Sequence, residues 1–564
     1  MKRTILFTIK RFFCSFIMWA TVSVVTGFAE NAQMLVPADH WVYGALHDIF
    51  SGAGNVAFVQ SAPLSAAEIT VYLNTLDYDS LSAYGRMQYD RVRAYLERNV
   101  MQLSSGVVSA GVGLALTPEL YYKTNSNIDW SFPYYFKDNF LTLPVYLSVG
   151  KKAFVESDVF LGRNYWSVQA PENFHNLPFN LSSSFFTGFE FDWPKNAYIS
   201  LGTNVGDTAC FNFQIGRGGL SIGQTQTGSV ILSPQFETDG YVRFSFFSPD
   251  IKYTMDTIQV AVNKYLYLHR IEFRFFKKLQ FSLMEGAYIN APFELRFLNP
   301  LMIMHSFGFW NSYPDTGINN CCAYLTFTFD YVPVKNVRIY GLYAQNELRA
   351  PNETDLRYPN SMGFQLGAET TIPAAAGAFH CGLEAVYTMP WLYIKHTPDS
   401  SLFHDTYDHL YETNRPINSW IGTPFGPDSI AVCTKIGYEI PQKWSASMSF
   451  LWLAQGENAF ADKVFFKSDG TRKDPDKNPS DPDDLYYPPT LSDEDEAERR
   501  AAKIAPSGIP QYTNRISIEG SYYISDRFSL SARISYAVIL NDGNLRGQTE
   551  HGVECALSGT YRFF

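Results

Sequence analysis

The sequence predicts an all-β transmembrane barrel of about 16–18 antiparallel strands with a small N-terminal α-helical bundle. Three observations predict it. First, strand-length stretches alternate apolar and polar residues with period two. In His269–Phe276, Ile271, Phe273 and Phe275 form one row and Arg270, Glu272 and Arg274 the other. After Lys277-Lys278 the pattern returns, with Leu279, Phe281 and Leu283 separated by Gln280 and Ser282. Second, 16% of the 564 residues are aromatic, with 36 Tyr and 45 Phe, yet mean hydropathy is only −0.13. A barrel produces that dilution, because half of each strand faces lipid and half faces the lumen. Third, past the N-terminus there is no run of about 18 apolar residues, which argues against helical spans.

Residues 1–29 are expected to be a cleaved signal peptide. Lys2, Arg3, Lys10 and Arg11 precede an apolar region from Phe12 to Val25, and Gly27-Phe28-Ala29 offers small residues for cleavage. Bulky Phe12 and Phe13 argue against lipidation of Cys14. The formal charge of −11 becomes more negative once those four cations leave, so nucleic acid is a poor partner. Residues 30–103 read as a helical bundle, expected in the periplasm because it precedes the first strand. A first helix opens near Pro37, with Val42, Leu46, Ile49 and Phe50 on one face. Ser65-Ala-Ala-Glu68 forms a capping box that starts a second helix running to about Leu76. A third, near Ser80 to Glu97, carries Tyr84, Met87, Val92, Tyr95 and Leu96.

From residue 104 to 564 strand patterns follow one another, among them Leu143–Val149, Phe185–Asp192, Ala197–Thr203, Ile258–Leu268, Val337–Ala344 and Phe528–Ile539. Trp193–Asn196, Pro333–Asn336, Pro441–Trp444 and Ser525–Arg527 read as short turns on one rim, with long loops on the other. At the C-terminus Tyr561 and Phe563 alternate with Thr560 and Arg562. This resembles the signal read by the outer-membrane barrel assembly machinery and, with the signal peptide, places the chain in the outer membrane, in contact with its lipid. Residues 467–510, with Asp493-Glu-Asp-Glu-Ala-Glu498, are too polar to bury a core and read as a disordered external loop. Asp474, Asp476 and Asn478 mimic the start of an EF-hand, but Pro479 and Leu485 break the match.

Little in the chain points to catalysis. Cys210, Cys321, Cys322, Cys381, Cys433 and Cys555 lack metal-ligand spacing and read as small apolar filler. His404-Asp-Thr-Tyr-Asp-His409 is most simply a polar external loop. No nucleophile–base set can be assembled from ten scattered histidines, so neither an enzyme nor a metal or cofactor is expected. Arg270, Glu272 and Arg274, with Arg217, are candidates for a lumen charge network. Such a network either braces the barrel or forms a selectivity ladder.

Four short stretches recur in order: Gly216-Arg217, Gly228-Ser229-Val-Ile-Leu-Ser233, His269-Arg-Ile-Glu-Phe273 and Leu295-Arg-Phe-Leu-Asn299-Pro300-Leu301. In this order they resemble the Wzi family of capsule-assembly outer-membrane proteins. The resemblance implies a roughly 18-stranded monomeric barrel with a periplasmic helical bundle. It also implies a lectin-like organiser of capsular polysaccharide, not an enzyme or the export channel. Where the family carries Trp-Trp-Gly after the Gly-Arg pair, this chain has Gly-Gly-Leu-Ser-Ile-Gly, and the acidic 467–510 stretch is a further departure. Trp310, Tyr313, Tyr407, Tyr411 and Trp420 are candidates to stack on sugar rings, although interfacial aromatic girdles also produce such residues. The expectation is therefore a barrel that binds or organises surface polysaccharide. A porin for small solutes and a loop-borne adhesin are its rivals.

Overall fold

The structure, a computed structural model, describes residues 31–97, 101–105, 107–131, 137–161, 174–177, 195–205, 209–236, 238–304, 321–348, 359–374, 376–395, 398–407, 416–466 and 504–563. The expected signal peptide, the expected strand Phe185–Asp192 and most of the acidic 467–510 stretch lie outside these residues.

Three helices open the described chain. α1 (Trp41–Ala53) begins where the His40 side chain accepts from the Val42 N–H, and ends at Gly54, whose left-handed φ of 80° lets its N–H reach the Phe50 and Ser51 carbonyls. α2 (Ala66–Leu73) is capped by Ser65, whose Oγ accepts from Glu68 N at 3.2 Å. Glu68 does not complete the expected box. Its carboxylate instead accepts from Lys252 Nζ at 2.6 Å and from Tyr72 OH at 2.8 Å, because burial beside a wall lysine outweighs a local backbone bond. α3 (Ala83–Leu96) follows a 3-10 turn at Tyr78–Ser80 and is capped by Ser82.

Eighteen antiparallel strands among the described residues close a barrel. β1 is built from Val108–Val112, Ala115–Leu116 and Glu119–Lys123. Then come β2 (Leu141–Val149), β3 (Ala153–Leu161), β4 (Ala197–Val205), β5 (Ala209–Arg217) and β6 (Gly240–Phe247). β7 (Ile251–Ala261), β8 (Lys264–Phe275), β9 (Leu279–Asn290), β10 (Cys321–Tyr331), β11 (Val337–Glu347) and β12 (Ser361–Ala374) continue the wall. It ends with β13 (Gly377–Thr388), β14 (Ser429–Ile440), β15 (Trp444–Gln455), β16 (Gln511–Ser525), β17 (Phe528–Leu540) and β18 (Thr549–Arg562). β18 closes onto β1 through Glu554↔Lys123 and Tyr561↔Leu116. A short strand, Met101–Ser105, pairs with the first segment of β1.

The rims differ. Residues 150–152, 248–250, 276–278, 332–336, 441–443 and 526–527 turn the chain briefly on one rim, while the connections from β5 to β6, β9 to β10, β13 to β14 and β15 to β16 are long and leave and re-enter the wall at the other. Two sequence expectations change. Ile258–Leu268 is not one strand, because Val262-Asn263 is a two-residue hairpin turn with Asn263 at φ 58°. The apolar run across it hid the only cue, an Asn tolerant of left-handed backbone. Lys195 and Asn196 lead into β4 from the loop-rim end, away from the short-turn rim expected of Trp193–Asn196, and Trp193 and Pro194 lie outside the described residues.

Along the wall, the outward row is exposed and apolar, as in Ile516, Ile518, Ile534 and Leu557, and forms the lipid face. The inward row is polar and mostly buried, because the lumen is filled from both ends. α1–α3 pack in the short-turn mouth around Leu46, Ile49, Phe58, Ile69 and Leu73, with Phe154 and Tyr198 of the wall. From there residues 56–65 climb the lumen, and Ser61 and Ala62 pair with Ile222 and Ser221 of the descending 218–239 loop. That loop and the 389–425 and 457–466 segments form an apolar lid around Ile222, Val230, Ile231, Leu392, Trp420 and Phe465.

Candidate functional site: the filled lumen and its loop-side cleft

Between the helical plug and the apolar lid lies a polar layer. Arg270 Nε approaches Glu272 at 3.2 Å and its Nη2 donates to Thr328 Oγ1 at 3.0 Å. Glu272 also accepts from Ser61 Oγ at 2.8 Å and Gln280 Nε2 at 2.7 Å. Arg338 spans Asp330, Glu369 and the Gln224 carbonyl, each at 2.8 Å, and Gln60 donates to the same Asp330. Arg243 grips Asp256 with two bonds and reaches the Pro63 carbonyl at 3.3 Å. Period-two alternation aims these wall side chains inward, and the climbing 56–65 segment meets them. Each acid here faces a base in a buried layer, although Arg270 Nη1 and Asp330 Oδ1 have no hydrogen-bond partner among the described residues.

The four predicted lumen charges do not form one network. Arg270 and Glu272 come together and are 2% and 1% exposed. Arg274 pairs instead with Asp250 at the short-turn rim, at 2.9 Å, and Asp250 is 61% exposed. Arg217 ends β5 half-buried opposite Ala197 and has no described bond to the Arg270 cluster. In the plug, Asp48 of α1 accepts from Thr371 Oγ1 at 2.6 Å and Tyr84 OH at 3.1 Å. Burial pushes its carboxyl up to about 6 despite the nearby His380.

The family-like stretches build the wall and lid. A side chain at Gly216 would lie 2.3 Å from the Ala197 carbonyl oxygen, so only glycine lets β4 and β5 pair there. Ser229 Oγ bonds the Ile222 carbonyl and accepts from Ile231 N at 3.0 Å, shaping the turn that carries Val230 to Ser233 into the lid. Ser233 donates its N–H to the Ile421 carbonyl. His269 points outward, opposite to its neighbour Arg270. On that outer side Leu295–Leu298 forms a 3-10 turn whose Phe297 stacks on Tyr267 at 4.7 Å. Tyr253 packs edge-on to His269 at 6.2 Å and donates to the Pro300 carbonyl, while Asn299 Oδ1 accepts from Leu301 N. His269, Asn299 and Pro300 thus meet in a flap on the outside of the barrel, far from any lumen ligand.

Of the candidate sugar-stacking aromatics, Trp310, Tyr313 and Tyr411 lie outside the described residues. Tyr407 ends the strand Phe403–Tyr407, its backbone opposite Pro416. Trp420 is 9% exposed, donates its indole N–H to the Ala459 carbonyl, and packs on Phe403 at 5.0 Å and Phe465 at 5.8 Å. It is part of the lid interior rather than an open platform. His404 is buried beside Phe236, and its companion His409 lies outside the described residues.

Beside the lid, the loop rim keeps a cleft lined by Asn125, Asn127, Trp130, Gln455, Phe460 and Gln511. Asn127 is exposed, and the enclosed indole N–H of half-buried Trp130 has no hydrogen-bond partner among the described residues. Lys123 and Lys137 ammonium groups lie over the Trp130 ring, each at 4.7 Å. Sequence patterns do not reveal these residues, because they come from three separate stretches with no common spacing. The amides are partly engaged: Asn125 Nδ2 donates to Glu550 at 2.7 Å, Gln455 Nε2 donates to the Phe425 carbonyl at 2.9 Å, and Gln511 Oε1 accepts from Gly543 N at 2.8 Å. Gln455 Oε1 and Gln511 Nε2 have no described bond, and no nucleophile stands beside a base among these residues.

A closed, lipid-facing barrel whose axis is filled by its own N-terminal segment and loops defines a β-barrel of the outer-membrane type. Among solved structures it is similar to Wzi of Escherichia coli, described as an outer-membrane protein involved in group 1 capsule assembly and a carbohydrate-binding β-barrel. That likeness has a TM-score of 0.55 and 13% identity, over 93% of this chain and 98% of that one. The chain is also similar to OmpT, an outer-membrane protein of Vibrio cholerae (TM-score 0.34, 9% identity, 82% of this chain and 99% of that one), and to OprD of Pseudomonas aeruginosa (TM-score 0.38, 9% identity, 80% and 95%). No family model and no curated protein matches the sequence. The resemblance to Wzi drawn from motif order therefore holds at the level of fold.

Proposed function

We propose that this protein is a non-enzymatic outer-membrane barrel that binds or organises a capsule-like surface polysaccharide at its loop face. The observation that carries this reading is the contrast at that face. The axis is packed by ion pairs and an apolar lid, while the adjoining cleft sets the Trp130 ring beside amide atoms of Gln455 and Gln511 that no described bond uses. Sugar hydroxyls pair well with side-chain amides, and sugar C–H faces pack on aromatic rings. The carbohydrate-binding description of the similar Wzi barrel supports the same ligand class. In this reading the helices face the periplasm, the long loops face outward, and the protein acts as a monomer. A wide axial pore is disfavoured by the filled axis.

Retention of purified host surface polysaccharide by the detergent-extracted protein tests the proposal. The double variant Trp130→Ala/Gln511→Ala should weaken retention at least several-fold while keeping heat-modifiable electrophoretic mobility. A wild type that retains no polysaccharide, on a host that makes one, would overturn the proposal.

A further inference from the structure

The plug is off-centre. Every described hydrogen bond or ion pair from residues 31–97 to the wall or its turns falls on the arc from the β2–β3 turn round to β14. Gln33 bonds Lys151, Ser61 bonds Glu272, Lys252 bonds Glu68 and Arg91 bonds Glu439. Among the described residues none reaches β15–β18. Rows of small residues on the inward face of β15–β17 leave room there. Ser449, Ser517 and Ser535 follow one another along the pairing direction, as do Ser445, Ser521 and Ser531. Their hydroxyls bond each other across strands, Ser517 to Ser535 at 2.8 Å and Ser521 to Ser531 at 3.0 Å, rather than reaching for the plug.

The space left is a cavity of about 1660 Å³. It touches Asp39 and Arg91 in the short-turn mouth, follows the serine wall, and meets Gln511 and Asp542 at the loop rim. Ser445 to Gln455 on β15 both line it, which spans roughly 30 Å of strand. Charge along its middle is net positive, with Lys123, Lys435, Arg515 and Arg533 against Glu519 and Glu554, while Asp39 and Asp542 stand at its ends. Glu519 is held by Arg533 at 3.1 Å, and Glu554 accepts from Ser131 N at 2.7 Å and Ser131 Oγ at 3.1 Å. Lys435 and Arg515 line the same stretch, and neither has a described hydrogen-bond or ion-pair partner. In a narrow low-dielectric passage, unpaired fixed charge attracts ions of the opposite sign and repels like ones.

We propose that this protein also conducts small hydrophilic anions, through an eccentric passage between the plug and the β14–β18 wall, with Lys435 and Arg515 setting the selectivity. The serine hydroxyls offer a permeating anion replacement hydrogen bonds without a deep binding well, and their small size sets the bore. This activity is separate from polysaccharide binding at the loop face and does not require it.

The test is conductance of the full-length mature protein in planar bilayers under a potassium chloride gradient. Small steady currents with an anion-selective reversal potential are expected. Lys435→Glu/Arg515→Glu should move the reversal potential towards that of cations. Ser449→Trp should cut conductance several-fold while leaving polysaccharide retention unchanged. A silent wild type would overturn the proposal. So would currents whose selectivity ignores the charge reversal, or whose size ignores Ser449→Trp in a variant that still shows heat-modifiable mobility. Loss of polysaccharide retention with currents intact would count only against the loop-face proposal, so the two fail separately.

Discussion

Arg270 and His269 are consecutive residues in unlike surroundings, one buried in the lumen layer and the other under an outer flap. Their environments set what each substitution costs. Arg270→Ala leaves Glu272 buried without its cation, so it should lower unfolding stability in detergent by about 3–5 kcal/mol. Arg274→Ala, whose partner Asp250 is mostly exposed, should cost at most about 1 kcal/mol. Equal losses in paired thermal melts would sink this distinction. Asp48 gives a pH effect of definite sign. Its folded-state value is raised to about 6, so between about pH 6 and pH 4 the folded protein holds a proton that the unfolded chain has released. This contribution favours folding as pH falls through that window, by an amount on the order of 3 kcal/mol at its acid end, and is lost as pH rises. Comparing wild type with Asp48→Asn by thermal unfolding from pH 7 to pH 4 isolates it. Parallel pH profiles would refute the assignment. Neither effect was legible in the sequence, because Thr371, Tyr84 and Asp250 become partners only through the fold.

At the scale of elements, the sequence carries the outcome where local physics decides. Ser65 caps α2 as its sequence position demands, and Ser65→Ala should cost about 1 kcal/mol. The strand signal failed at Val262-Asn263, where a hairpin turn keeps the alternation of its flanks. The Leu295–Leu301 stretch shows a different limit. Its order in the chain marks a family-like motif, yet its work is to clamp β8 and β9 from outside, with Leu301 89% exposed on the flap surface. Phe297→Ala removes the stack on Tyr267 and should destabilise the barrel by about 3–5 kcal/mol while leaving polysaccharide retention intact. A selective loss of retention would reassign the flap to the ligand site.

For the whole molecule, the controlling feature is an asymmetric filling of the lumen. Lys252–Glu68 and the Arg243–Pro63 carbonyl contact tie plug to wall on one side, while the serine wall opposite carries no such tie among the described residues. Lys252→Met strands the Glu68 carboxylate against apolar surroundings and should loosen the plug. The expected outcome is larger, less selective conductance and greater entry of bulky antibiotics into cells. Unchanged conductance would mean that the plug is held by its apolar contacts alone.

The sequence by itself determined the barrel class, the helices before it and the side of each strand that faces lipid, because period-two alternation, capping and apolar runs are local. It also carried the family resemblance, through motif order. Only the tertiary structure decided which inward charges meet, that Trp420 lies inside a lid, that Asn125, Trp130, Gln455 and Gln511 share one cleft, and that the plug leans to one side. Those facts depend on register, closure and the meeting of residues hundreds of positions apart. No local pattern encodes such meetings, since they are fixed only when eighteen strands close and the remaining chain must share the space inside.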